Sequence, residues 1–150
     1  MGNGTVTQSH LQSANNLVHN GDNAKAVVEF DLAWKAQEID PQNATAWNDW
    51  GVALYLLKRY DEAVEKLREA QRIDPRYFQA YSNMGAALAA QQKTDQAIGC
   101  YRRATEINPN YSQAYFNWGN LLYRAKKYAE AAEQYRGAVK NTGHCFLACR

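Results

Sequence analysis

The sequence has no apolar run longer than six residues, Val52 to Leu57, where a membrane-spanning helix needs about 20. Cysteine is scarce and odd in number. Cys100, Cys145 and Cys149 form no CxxC pair, which argues against a disulfide scaffold and points to a reducing compartment, taken as the cytoplasm. An excess of one charge is missing too: seventeen basic against fifteen acidic side chains give +2, far from the balance of a dedicated nucleic-acid binder. Met1 to His10 is polar and glycine-rich, without the basic start and apolar stretch of a signal peptide. Val6 stands where a myristoylation signal wants Ser or Thr. The glycosylation-type matches at Asn3, Asn43 and Asn110 carry no weight without a secretion signal. No P-loop, GxGxxG or HExxH occurs, and His10, His19 and His144 lie in no nucleophile–carboxylate spacing. The expectation is a soluble, globular, non-catalytic chain that needs no cofactor and no metal.

Proline is rare as well, at three residues in 150, but its placement is informative. Pro41, Pro75 and Pro109 stand 34 residues apart, and each closes a similar phrase: Glu38-Ile39-Asp40-Pro41, Arg72-Ile73-Asp74-Pro75, Glu106-Ile107-Asn108-Pro109. A slide of 34 lays Trp47, Trp50, Gly51 and Leu54 on Tyr81, Met84, Gly85 and Leu88, then on Tyr115, Trp118, Gly119 and Leu122. Ala63, Leu67 and Ala70 land on Ala97, Tyr101 and Ala104, then on Ala131, Tyr135 and Ala138. The chain is an array of repeats.

Each unit reads as two helices. Large residues at i, i+3 and i+7 make one apolar stripe on the first helix. The glycine at i+4 costs about 1 kcal/mol inside a helix, so its recurrence predicts close approach of the two backbones there. Asp61 and Asp95 are suited to cap the second helices. The residue before each proline is pushed out of helical geometry, which ends the second helix. The architecture expected is all-α, an α-solenoid of antiparallel helix pairs.

Length 34 with Trp47-x2-Trp50-Gly51-x2-Leu54, Ala63-x3-Leu67 and Pro75 resembles the tetratricopeptide repeat pattern. The resemblance divides the chain into a flexible lead (1–6), a divergent first repeat (7–41), repeats at 42–75, 76–109 and 110–143, and a tail (144–150). In the first repeat, Gly21-Asp22-Asn23-Ala24-Lys25-Ala26, Phe30 and Ala33 fit. The stretch from Ala33 to Pro41 is three residues too long, and Trp34-Lys35-Ala36 is expected to lengthen that helix by about one turn. The resemblance implies a right-handed superhelix whose first helices line a groove, and a partner protein or extended peptide held there.

On the first helices, the stripe opposite the buried one contains the candidate groove. One column is Asp49, Asn83 and Asn117, with Gln12 roughly equivalent. Amides both donate and accept, so this column looks like the asparagine ladder of other tetratricopeptide arrays, which pairs with a ligand's main chain. Asp49 departs from it, because a carboxylate only accepts, and the amides also read as plain solvated residues. A second column is Val52, Ala86 and Asn120, and a third is Tyr55, Ala89 and Tyr123. Asn48, Gln79, Gln113, Phe116 and Arg124 complete the set. Ala86, Ala89 and Ala90 then floor a pocket between Tyr55, Phe116 and Tyr123, or serve only as helix formers. Lys and Arg of a carboxylate clamp are absent, since Leu11, Gln79 and Asn83 stand at those positions.

Net charge runs −3, −1, +2 and +4 over residues 1–41, 42–75, 76–109 and 110–150. Such a drift orients an extended ligand, favours head-to-tail association, or is surface composition alone. The tail Gly143-His144-Cys145-Phe146-Leu147-Ala148-Cys149-Arg150 offers at most three metal ligands and reads as packing or disorder. No polar capping helix follows the helix expected at 128–141. The leading expectation is a protein–protein interaction scaffold, with no nucleic acid and no membrane insertion. The alternatives are a module that forms homo-oligomers through its uncapped C-terminal end, and a cytoplasmic chaperone for secreted proteins. Catalysis with Cys100 as nucleophile ranks behind both.

Overall fold

The computed structural model describes residues 9–141, and among them eight α-helices follow one another without a strand. They are α1 (His10–His19), α2 (Asn23–Lys35), α3 (Ala44–Leu56), α4 (Tyr60–Ile73), α5 (Phe78–Ala90), α6 (Thr94–Ile107), α7 (Ser112–Arg124) and α8 (Tyr128–Asn141). The lead at 1–6 and the tail at 144–150 lie outside the described residues. The chain divides into two compact units, Met1–Ile73 and Asp74–Arg150. In the first, the pairs α1–α2 and α3–α4 stack through α2 on α3, with α1 touching α3. In the second, α5–α6 and α7–α8 stack through α6 on α7, with α5 touching α7. This is the repeating helix-pair architecture of an α-solenoid. No described helix is long and apolar enough to cross a membrane.

Every first helix ends in the same way. The first residue past each C-cap adopts a left-handed backbone: Gly21 (φ 79), Gln37 (58), Lys58 (61), Gln92 (62) and Lys126 (61). The amide that follows reaches back to a carbonyl five residues earlier, as Lys93 N does to Leu88 O at 2.9 Å. This Schellman closure satisfies carbonyls that the helix end would orphan. Gln37 shows that α2 uses the closure too, with Glu38 N bonded to Ala33 O at 2.9 Å. That corrects one expectation, because α2 stops at Lys35 and is not lengthened by its extra residues. The surplus lies in the connection to α3, pinned by buried Ile39 and by Asp40 Oδ1 accepting from Gln42 N at 2.9 Å.

The closure also sets where each second helix starts. α4 begins at Tyr60 and α6 at Thr94, so Asp61 and Asp95 lie in the first turn and not at the cap. There they still face the positive end of the helix dipole. α4 and α6 end at Ile73 and Ile107, one residue short of the Asp74 and Asn108 that precede proline. Asn108 is extended, with φ −127 and ψ 92, as steric conflict with the following ring demands.

The recurring glycines are seats for side chains. A Cβ on Gly51 would stand 2.6 Å from Leu67 Cγ, and one on Gly119 would stand 2.8 Å from the Tyr135 ring. What touches these glycines is chiefly the large side chain of the partner helix, although at Gly51 the Ala63 carbonyl oxygen also comes within 3.3 Å. In the first unit, aromatic rings fill the space between α2 and α3. Phe30 stacks on Trp50 at 6.0 Å and Trp47 on Trp50 at 5.7 Å. Lys66 Nζ stands 3.9 Å from the Trp50 ring centroid, a cation–π contact worth about 0.5–2 kcal/mol.

Candidate functional site

In the second unit the candidate residues lie on two adjacent first helices. Gln79, Asn83, Ala86 and Ala89 belong to α5, and Gln113, Asn117, Asn120, Tyr123 and Arg124 belong to α7. Asn83 and Asn117 hold the same register, 34 residues apart. Gln113 Nε2 donates to Asn117 Oδ1 at 3.0 Å, so amides follow one another along α7 at i, i+4 spacing. Asn120 Oδ1 accepts from the Tyr135 hydroxyl at 2.6 Å, which ties α7 to α8. Towards the C-terminal ends of α5 and α7, a cavity of about 550 Å³ is lined by Ala89, Ala90, Gln92, Thr94, Leu121 and Arg124, among others. The structure thus brings Ala89 and Arg124 together.

In the first unit, Asp49, Val52 and Tyr55 project from α3 and are partly exposed. Burial pushes the Asp49 carboxyl above the usual carboxylate range; the Asn48 hydrogen bond and the nearby His19 pull it part of the way back. Asn48 Nδ2 donates to Asp49 Oδ1 at 3.2 Å. The facing helix α1 contributes His19, whose Nδ1 lies 2.7 Å from the Asn15 carbonyl oxygen, and Asn15, whose side-chain Oδ1 is buried without a hydrogen-bond partner. Neither residue was a sequence candidate. Matching the first repeat at a spacing of 37, which pairs Ala26 with Ala63 and Ala14 with Gly51, would have placed Asn15 in the Val52 column.

Two candidates stand elsewhere than expected, and both hold the same register. Asn48 is 6% exposed, so its amide supports Asp49 from below. Phe116 does not wall a groove beside α5. Its ring turns toward α8, 6.0 Å from that of Tyr135, and borders a cavity with Ala138 and Val139. The physical reason shows at the equivalent Ser82, which is buried and hydrogen-bonded to Tyr111 at the entry to α7. This register points to where the next first helix packs, not into the open stripe. Tyr123 pairs instead with Tyr128 across the α7–α8 turn at 5.3 Å, and Tyr55 pairs likewise with Tyr60 at 5.7 Å. Phe116 and Tyr123 thus each have a ring partner on α8, Tyr135 and Tyr128.

Among the described residues, no three His, Cys, Asp or Glu side chains gather as metal ligands. His144, Cys145 and Cys149 lie outside those residues. Cys100 is buried on α6.

Comparison with solved structures returns close matches in fold. A crystal structure of MamA superposes with a TM-score of 0.78 at 21% identity, over 89% of this chain and 76% of that one. MamA 41-end from Desulfovibrio magneticus RS-1 gives 0.78 at 22%, over 89% and 73%. PilF of Pseudomonas aeruginosa gives 0.74 at 26%, over 88% of this chain and 59% of that one. No curated protein matches the sequence. Three family models match: tetratricopeptide repeat at residues 78–111, TPR repeat at 51–92, and tetratricopeptide repeat at 100–133. Together they span residues 51–133, more than half of the chain, and the chain belongs to the tetratricopeptide repeat family.

Proposed function

We propose that this chain is a non-catalytic interaction scaffold whose first helices hold an extended segment of a partner protein. The observation that carries the reading is the amide register: Asn83 on α5 and Asn117 on α7 stand at one position of two first helices that touch. A carboxamide column at that spacing pairs with ligand main chain through both its donor and its acceptor, and so binds without reading the side chains. Family membership supports a binding role over chemistry.

The Ala89–Arg124 cavity gives the ligand an address beyond its main chain. Small residues leave room there, and Arg124 recognises a carboxylate. Asn48, Gln79, Gln113 and Asn120 hold or flank the column, and Val52, Tyr55, Ala86 and Tyr123 supply its apolar contact. The repeat boundaries at 41/42, 75/76 and 109/110 delimit the units of recognition, and the cytoplasm is the compartment proposed.

The test is titration of a library of extended, acid-containing peptides into the wild-type chain and into Asn83→Ala/Asn117→Ala. Peptides that bind the wild type and bind the still-helical variant about tenfold more weakly support the column, since two charge-free hydrogen bonds are worth about that much. Equal affinity for both proteins refutes it.

A further inference from the structure

Repeat register shows what each side of a helix pair is built to receive. α7 packs on α5 and α6, and Ser82 on α5 and Thr105 on α6 are 2% and 7% exposed. Tyr111, one residue ahead of α7, sits edge-on to Phe78 at 4.9 Å and is hydrogen-bonded by Ser82, while burial pushes its hydroxyl up. Thirty-four residues on, Phe78, Ser82 and Thr105 become Ser112, Phe116 and Val139. Here Phe116 is 49% and Val139 55% exposed. With Ser112, Gln113 and Ala138 they border a cavity of about 270 Å³. Through Val139 the apolar strip continues into one of about 620 Å³ over Ala132, Tyr135, Arg136 and Lys140. The side of α5–α6 that is filled by Tyr111 and α7 has no helix packed on it at α7–α8 among the described residues.

The first helix of the chain is finished differently. On α1, Ser13 and Asn16 stand where α3 carries buried Trp50 and Ala53, the polar outer face of a capping helix. α1 of a second copy is therefore a poor occupant of the open side. Two such sides meeting about a twofold axis would set Arg136 and Lys140 against their own copies. No carboxylate among the described residues borders either cavity. Among the described residues, Arg136 and Lys140 make no ion pair.

We infer that the α7–α8 face docks an amphipathic helix of a partner protein, entering as α7 enters on α5–α6. Such a helix places an aromatic ring ahead of its first turn, in the pocket at Phe116. It then carries a small residue and a leucine at the spacing of Tyr111, Ala114 and Leu121, and lays carboxylates along Arg136 and Lys140. This surface meets the amide column only at Gln113, which borders the smaller cavity and donates to Asn117, and the inference does not rest on the proposed groove.

The probe is an acetylated, amidated peptide with the Tyr-x2-Ala-x6-Leu spacing and glutamates on one flank, beside a twin with lysines there. Titration into the full chain is expected to favour the glutamate peptide about tenfold. Val139→Glu should abolish that binding, and Arg136→Glu/Lys140→Glu should reverse the preference between the twins. Val139 is exposed, so the variants keep their helical circular dichroism. Equal binding of the twins, or no binding of either, overturns the inference. A peptide-free chain whose mass doubles with concentration, and does not in Val139→Glu, assigns the face to a second copy and overturns it as well. A tenfold gain in peptide affinity on deleting residues 142–150 assigns the face to the chain's own tail, with the same consequence.

Discussion

Tyr101 lays its ring edge on Gly85: a Cβ there would stand 2.8 Å from Cε1 and 3.0 Å from Cδ1 and Cζ. The ring is buried and cannot retreat without disturbing α6. Gly85→Ala is therefore expected to cost about 1–3 kcal/mol in overpacking, against about 1 kcal/mol of helix propensity gained. Gly99 on the same pair of helices has nothing within 4 Å of its Cβ position, and Gly99→Ala should stabilise by about 1 kcal/mol. Urea unfolding of the two variants should shift the midpoint in opposite directions. Shifts of the same sign would mean that the ring yields.

Four helix ends turn on a non-glycine residue in the left-handed region: Gln37, Lys58, Gln92 and Lys126. An L side chain there costs about 1–2 kcal/mol, and glycine returns part of the gain as entropy in the unfolded chain. Gln92→Gly should stabilise by about 0.5–1 kcal/mol, whereas Gln92→Val should destabilise because a branched Cβ crowds that backbone. Thermal melts of the pair read both signs.

His10 Nδ1 lies 2.7 Å from Glu29 Oε2, joining α1 to α2. The hydrogen bond to Glu29 holds the imidazole above its usual value. A raised folded value means that the contribution is fully present below the unfolded value of about 6.5 and fades as pH rises through the folded one. The melting temperature of the wild type should therefore exceed that of His10→Gln near pH 6, with the gap closing on the alkaline side. A gap that is constant with pH would show that the ion pair contributes nothing.

Asp49 runs the other way, because its carboxyl is raised by burial and its charged form is the one the fold disfavours. Stability is greatest when the group is protonated and falls as pH rises through the folded value. Asp49→Asn should raise the neutral-pH melting temperature and lose that advantage below about pH 4. It also restores a donor to the amide column, so peptides that bind through main chain should bind the variant more tightly.

Three prolines 34 residues apart and the apolar positions between them made the helix pairs legible, down to α4 ending at Ile73 and α8 running from Tyr128 to Asn141. The starts of α4 and α6 were not legible, because Lys58 and Gln92 close the preceding helix in the left-handed backbone that a glycine would have announced. Phe116 shows the limit for the site. Periodicity names a stripe of surface positions, but which edge the next helix covers is a matter of packing between pairs, and Ser82 at the same register is buried where α7 packs on α5. The spacing of 37 that sets Gln12 beside Asp49 also sets Asn15 in the Val52 column, so Asn15 was legible without the structure.

Within each unit, each helix packs on its immediate neighbours in the chain, and the longer reaches are α1 to α3 and α5 to α7. Contacts so local repay chain ordering almost as soon as it occurs, which places folding at the fast end of the range for domains. They also bear on synthesis. α1 and α2 have a complete partner in each other once Lys35 has been added, with more than three-quarters of the chain still to come. α3 then finds α2 already in place. Within each unit the ribosome delivers the helices in the order in which they need one another, so the second pair is built on a surface that the first already provides.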